Sequence, residues 1–88
     1  MNIKEMTTAL IGKILEWQHS DPKYHYNLKE GKLVKVKRVW KKKAEVVLQE
    51  TSTGHFITMD IYRVTMENLL TKGEYYLGWG MTVRIKTI

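Results

Sequence analysis

The chain has 88 residues, no cysteine, one proline, 43% apolar residues and a formal net charge of +6. That length supports one domain over residues 1–88 with a thin core, and without cysteine there is neither a disulfide framework nor a thiolate metal centre. No apolar run approaches the roughly 18 residues of a spanning helix, and the N-terminus lacks the pattern of a signal peptide, so a soluble cytoplasmic protein with no membrane contact is expected.

The N-terminus reads as a helix. Asn2 stands three residues before Glu5, a capping-box spacing. Ile3, Met6, Leu10, Ile14 and Trp17 recur at steps of three and four, and Ile11 and Leu15 widen that stripe. Asp21-Pro22 supplies the stop, because the residue before proline is steered out of the helical region. Gly12 falls inside this helix, where close approach to another backbone is the simplest reason for it.

After 24-YHYNL-28 and a turn at Glu30-Gly31, the period changes to two. Val34, Val36 and Trp40 share one face of a strand, and Lys35, Lys37 and Lys41 the other. Arg38 falls on the apolar side, so either its stem snorkels at the rim or a bulge resets the phase. A turn near 41-KKK-43 leads to a second strand with Ala44, Val46 and Leu48 on one face. The loop 51-TSTG-54 precedes a third strand, 55-HFITMDI-61. Thr65 offers an N-cap for a short helix over 66–72, with Gly73 as its stop. Past 75-YYLGWG-80, the segment 81-MTVRIKTI-88 alternates, with Met81, Val83 and Ile85 inward.

These elements predict an α+β domain. An N-terminal helix packs on a small twisted antiparallel sheet, or on an SH3-like or Sm-like half-barrel, with a short second helix before the last strand.

Catalysis finds little support. No phosphate-binding glycine loop and no nucleophile elbow occur, and the nine acids are scattered singly. His19 and His25 flank the Asp21-Pro22 turn beside Tyr24 and Tyr26. A metal-independent nuclease could use such a His as general base, but a His-Tyr turn packed on the sheet edge is the favoured reading. His55 reads as exposed and inert, and the spacing supplies no zinc ligand set. The expectation is a protein that is not an enzyme and has no cofactor or metal.

The concentrated signal is basic. Residues 29–43 hold eight Lys or Arg and one acid, whereas the remainder holds seven basic and eight acidic side chains. Edge strands carry lysine to block aggregation, yet eight cations in so short a stretch exceed that need. Lys35, Lys37 and Lys41 on one strand face are expected at roughly 7 Å steps, close to the phosphate spacing of a nucleic-acid strand, with counterion release driving association. Lys32, Arg38, Lys42 and Lys43 complete the candidate surface. Tyr24, Tyr26 and Trp40 are candidates for base stacking, with Trp79 behind them, although Trp40 shares the Val34 and Val36 face and reads as core. Backbone tracking is favoured over base readout, and RNA over DNA.

A second hypothesis is of another class. The stripe formed by Met6, Leu10, Ile11, Ile14 and Leu15 is a candidate homodimer or oligomer seam, or a dock for a host protein. The lysines would then recognise an acidic protein surface, and the chain would act as an inhibitor or adaptor.

The run 53-TGHFITMDIYRVTMENLLTKG-73, following 44-AEVVLQE-50, resembles segments of small basic accessory proteins of large tailed bacteriophages. That resemblance implies a host-takeover or anti-defence role, such as neutralising a ribonuclease toxin. The helix and strand order is also similar to Sm-like RNA-binding proteins, but the Asp-x-x-x-Asn loop pattern of that family is absent.

Overall fold

The structure is a computed structural model that describes residues 1–21, 23 and 29–86. The chain opens with α1 (Ile3–Leu10), whose start is closed by reciprocal bonds. The Asn2 N–H donates to Glu5 Oε1 at 3.0 Å, and the Glu5 N–H donates to Asn2 Oδ1 at 2.8 Å. The spacing noted in the sequence thus forms a capping box.

The long first helix does not form. Gly12 adopts φ +89° and the chain continues as β1 (Ile14–His19). A left-handed residue ends a helix, and glycine occupies that region at no steric cost. A Cβ at Gly12 would meet nothing within 4 Å, so the requirement is conformational and not the close backbone approach expected. The helical stripe misled because Leu15 and Trp17 also satisfy a period of two. On β1 both turn to the core, and Ile14 and Glu16 face the other side.

The remaining elements are β2 (Glu30–Val39), β3 (Lys43–Glu50), β4 (Phe56–Tyr62), α2 (Arg63–Lys72), β5 (Glu74–Gly78) and β6 (Met81–Ile85). They build an open six-stranded sheet in the order β4-β3-β2-β1-β6-β5, with every neighbouring pair antiparallel. The expected α+β class stands, and α2 precedes two strands instead of one. Its start also differs from expectation. The helix begins at Arg63, whose N–H donates to the Lys42 carbonyl at 2.7 Å, while Thr65 is buried inside the first turn and does not cap it. Gly73 does close the helix, at φ +81°, with its N–H donating to the Leu69 carbonyl at 3.0 Å.

Both helices cover one face of the sheet. Leu10 from α1, Met66 and Leu69 from α2, and Leu15, Leu33, Val46, Leu48 and Val83 from the strands form a continuous core. Each such fully buried side chain contributes about 1.5–3 kcal/mol. The candidate seam is dissolved by this arrangement. Met6, Leu10 and Leu15 are spent on the chain's own core, Ile11 lies exposed at the helix end, and Ile14 is on the opposite sheet face. Those five residues do not share a surface, because the helix that would have aligned them stops at Leu10. Among the described residues no helix is long and apolar enough to cross a membrane.

Candidate nucleic-acid interface

The sheet face turned away from the helices carries the charge. Its geometry follows from the β2–β3 register, in which Lys32 pairs with Gln49, Leu33 with Leu48, Lys35 with Val47, Val36 with Val46, Arg38 with Glu45 and Val39 with Ala44. Residues are lost from the count twice, between Leu33 and Lys35 and between Val36 and Arg38. Each is a bulge, with two β2 residues opposing one on β3. Val34 and Lys37 are the extra residues.

The consequence is a row that simple alternation does not give. Lys32, Lys35 and Arg38 stand opposite Gln49, Val47 and Glu45, every second residue of β3. Their ladder positions are therefore about 7 Å apart, although they are spaced by three in sequence. The expected row of Lys35, Lys37 and Lys41 is corrected accordingly: Lys37 sits in a bulge and Lys41 in the turn. Arg38 points away from the core, and the inward positions are Leu33, Val36 and Val39 in place of Val34, Val36 and Trp40. A three-residue repeat of cations inside a strand was the signal available in the sequence.

Around the turn, the Trp40 N–H donates to the Lys43 carbonyl at 2.9 Å. Trp40 is 37% exposed and is not core. The Arg38 guanidinium lies 5.3 Å from its ring centroid and the Lys43 ammonium 5.0 Å. The indole thus holds two cations at the head of the row. Lys43 is further engaged: its Nζ donates to Asp60 Oδ2 at 3.0 Å and lies 5.9 Å from the Tyr62 ring centroid. The Asp60 hydrogen bond and charge raise the Lys43 pKa above its usual value.

Three acids of the same face are neutralised locally, and Glu45, opposite Arg38, is not. Glu16 binds Arg84 at 2.8 Å and Glu30 binds Lys86 at 2.6 Å, as Asp60 binds Lys43. The Lys86 bond, followed by the Thr51 bond, holds the Glu30 carboxyl below its usual pKa. In contrast, Lys32, Lys35, Lys37, Arg38, Lys41 and Lys42 have no carboxylate within ion-pair distance among the described residues. The excess charge is therefore free to meet an external anion. Tyr24 and Tyr26 lie outside the described residues, as does His25. His19 accepts a hydrogen bond at Nδ1 from the Asp21 N–H at 2.9 Å. Among the described residues no three His, Asp or Glu side chains converge as metal ligands.

Lys4 was missed by sequence reasoning. It belongs to α1, yet it lines one groove with Lys35, Lys37 and Arg38 of β2. No local pattern announces a contact between residues so far apart in the chain. Compared with known proteins, the chain matches no family model, no curated protein and no solved structure at a significant level.

Proposed function

We propose that the protein binds nucleic acid, RNA in preference to DNA, through the β2–β3 hairpin and acts by occupancy without chemistry of its own. One observation carries this reading: among the described residues, six cations between Lys32 and Lys42 lack an ion-paired carboxylate, while of the acids on the same sheet face Glu16, Glu30 and Asp60 are each bound by another cation and Glu45 alone stands opposite the row. A row of three at phosphate-like intervals favours backbone tracking. Such contacts bring affinity and register but no sequence information. The resemblance to phage accessory proteins would place this activity in host takeover or anti-defence, for instance as an inhibitor of a ribonuclease toxin.

The experiment is direct. Protein purified with and without nuclease treatment is compared for co-purifying RNA, and the stripped protein is titrated with labelled RNA and DNA. Replacement of Lys32, Lys35, Arg38, Lys41 and Lys42 by Ser is expected to abolish binding at moderate salt; unchanged affinity refutes the proposal.

A second reading is favoured by a separate feature. Trp79 is 94% exposed at φ +56°, between Gly78 and Gly80, with Tyr76 and Leu77 also exposed. A non-glycine residue in that region carries strain, and an indole held in water is a contact group. It lies beyond the His19–Met81 pair, at the opposite end of the sheet from the basic turn. On this reading a host protein docks on the exposed Trp79 end, and the lysines at the other end meet an acidic region of the same partner. Trp79→Ser would abolish capture of such a partner and leave RNA binding intact.

A further inference from the structure

The flank of β2 opposite β3 is covered over only part of its length. β1 pairs with β2 at residues 30–32, and Leu33 exchanges backbone bonds with the turn after α1. There the Gly12 N–H donates to the Leu33 carbonyl at 2.7 Å, and the Leu33 N–H donates to the Lys13 carbonyl at 3.0 Å. From Val34 to Val39 that flank has no strand beside it among the described residues. Across from it runs α1, and between the two lies a groove of about 430 Å³. Its volume falls within the roughly 300–1,000 Å³ of small-ligand clefts.

The lining is chemically one-sided. Lys4, Lys35, Lys37 and Arg38 border it, Lys35 and Arg38 from the outer sheet face beyond the open flank, and among the described residues no acid does, while Ile11 and Val39 supply apolar surface that is 44% and 42% exposed. The open flank adds backbone donors and acceptors. Cations, an apolar wall and free backbone hydrogen-bonding groups together match a nucleotide: a phosphate, a ring face and a polar base edge. An extended peptide fits less well. A strand added to this flank must match a two-residue repeat, which the bulges at Val34 and Lys37 interrupt.

We infer that the groove between α1 and the open flank of β2 seats one unstacked nucleotide of a single strand, so that the protein selects single-stranded over duplex nucleic acid. The inference rests on the nucleic-acid reading of the hairpin and names its substrate class. Phosphates on either side of the seated nucleotide run onto Lys4 and onto the Lys35–Arg38 row. In a duplex the base is stacked and paired, so only the outer row is engaged.

The test uses fluorescence anisotropy with the full chain, oligo(U) of about twelve nucleotides and a duplex RNA of equal phosphate number. Wild-type protein is expected to bind oligo(U) at least about fivefold more tightly, the equivalent of one seated base. Ile11→Trp, which fills the groove from an exposed position, is expected to remove that preference and leave duplex affinity within about twofold. Lys4→Ser provides the same readout without added bulk: the salt slope for oligo(U) falls by about 0.7, with no change for duplex. Equal affinities for the two RNAs, or parallel losses in both variants, overturn the inference. Displacement of oligo(U) by an equal concentration of a poly-glutamate peptide, lost in Ile11→Trp, overturns it in favour of an acidic peptide. Lys41→Ser with Lys42→Ser weakens both RNAs if the hairpin reading holds, so failure there indicts the hairpin and not the groove.

Discussion

Arg38 stands opposite Glu45, two β3 residues from Val47, the partner of Lys35. That relationship exists because Lys37 is an extra residue, and it turns an arginine that alternation would bury into the third member of an exposed row. The bulges spread charge and also interrupt the flank of β2 as a template for another strand. The same irregularity thus shapes a polyanion surface and protects the molecule from edge-to-edge pairing.

The row makes a graded prediction for salt dependence. Each of Lys32→Ser, Lys35→Ser and Arg38→Ser is expected to reduce the slope of log K against log salt for single-stranded RNA by about 0.7. Lys43→Ser should barely change it, because Asp60 already holds that ammonium. Glu45→Gln removes the carboxylate facing Arg38 and should strengthen binding at low salt. Titrations at several salt concentrations decide this, and a slope as sensitive to Lys43 as to Lys35 contradicts the register argument.

Gly12 offers a test by sign. Inside a continuous helix, Gly12→Ala would stabilise the protein by up to about 1 kcal/mol. In the left-handed turn at φ +89° the same change is expected to destabilise it, by about 1–2 kcal/mol. Urea unfolding of the two proteins distinguishes them, with Gly12→Asn expected between the two because asparagine tolerates this region.

What the sequence disclosed and what it hid follow from how local each signal is. The capping box of Asn2 and Glu5, the alternation of Ala44, Val46 and Leu48, and the Gly73 stop depend on neighbours within a few residues, and all three form. The stripe from Leu10 to Trp17 fitted two periods at once, and only the φ of Gly12 separates them. The basic surface was visible as composition, but its row depended on pairing with β3, which no local pattern encodes. The groove wall at Lys4 needed the tertiary fold itself. Bulges are the hardest case, because an inserted residue looks the same in sequence as one that alternates.

Core and surface roles within the former stripe separate cleanly. Leu15→Ala is expected to cost about 2–5 kcal/mol, since Leu15 is fully buried among Leu33, Leu10 and Val83. Ile11→Ser, at the exposed end of α1, should remain within about 0.5 kcal/mol of wild type. Chemical denaturation measures both. A dimer seam built on the stripe would instead make the wild-type unfolding midpoint rise with protein concentration, and Ile11→Ser would weaken that dependence.

Acid stability should depend on Glu30. Its carboxyl is held below the usual value, first by the hydrogen bond from Lys86 and then by the Thr51 bond. A group whose folded pKa is depressed stabilises the protein above its unfolded value, near 4.3 for glutamate, and that contribution is lost as pH falls through the folded value. Lys86, raised by the same partner, works in the other direction: its contribution is complete below about pH 10.4 and fades as pH rises through its folded pKa. Glu30→Gln should therefore flatten the fall of the melting temperature on the acid side and remove part of its loss at high pH. Melting curves from acid to strongly alkaline pH test both limbs in one variant. An unchanged acid limb would mean that the 2.6 Å contact between Lys86 and Glu30 carries no net stability, as exposed ion pairs often do.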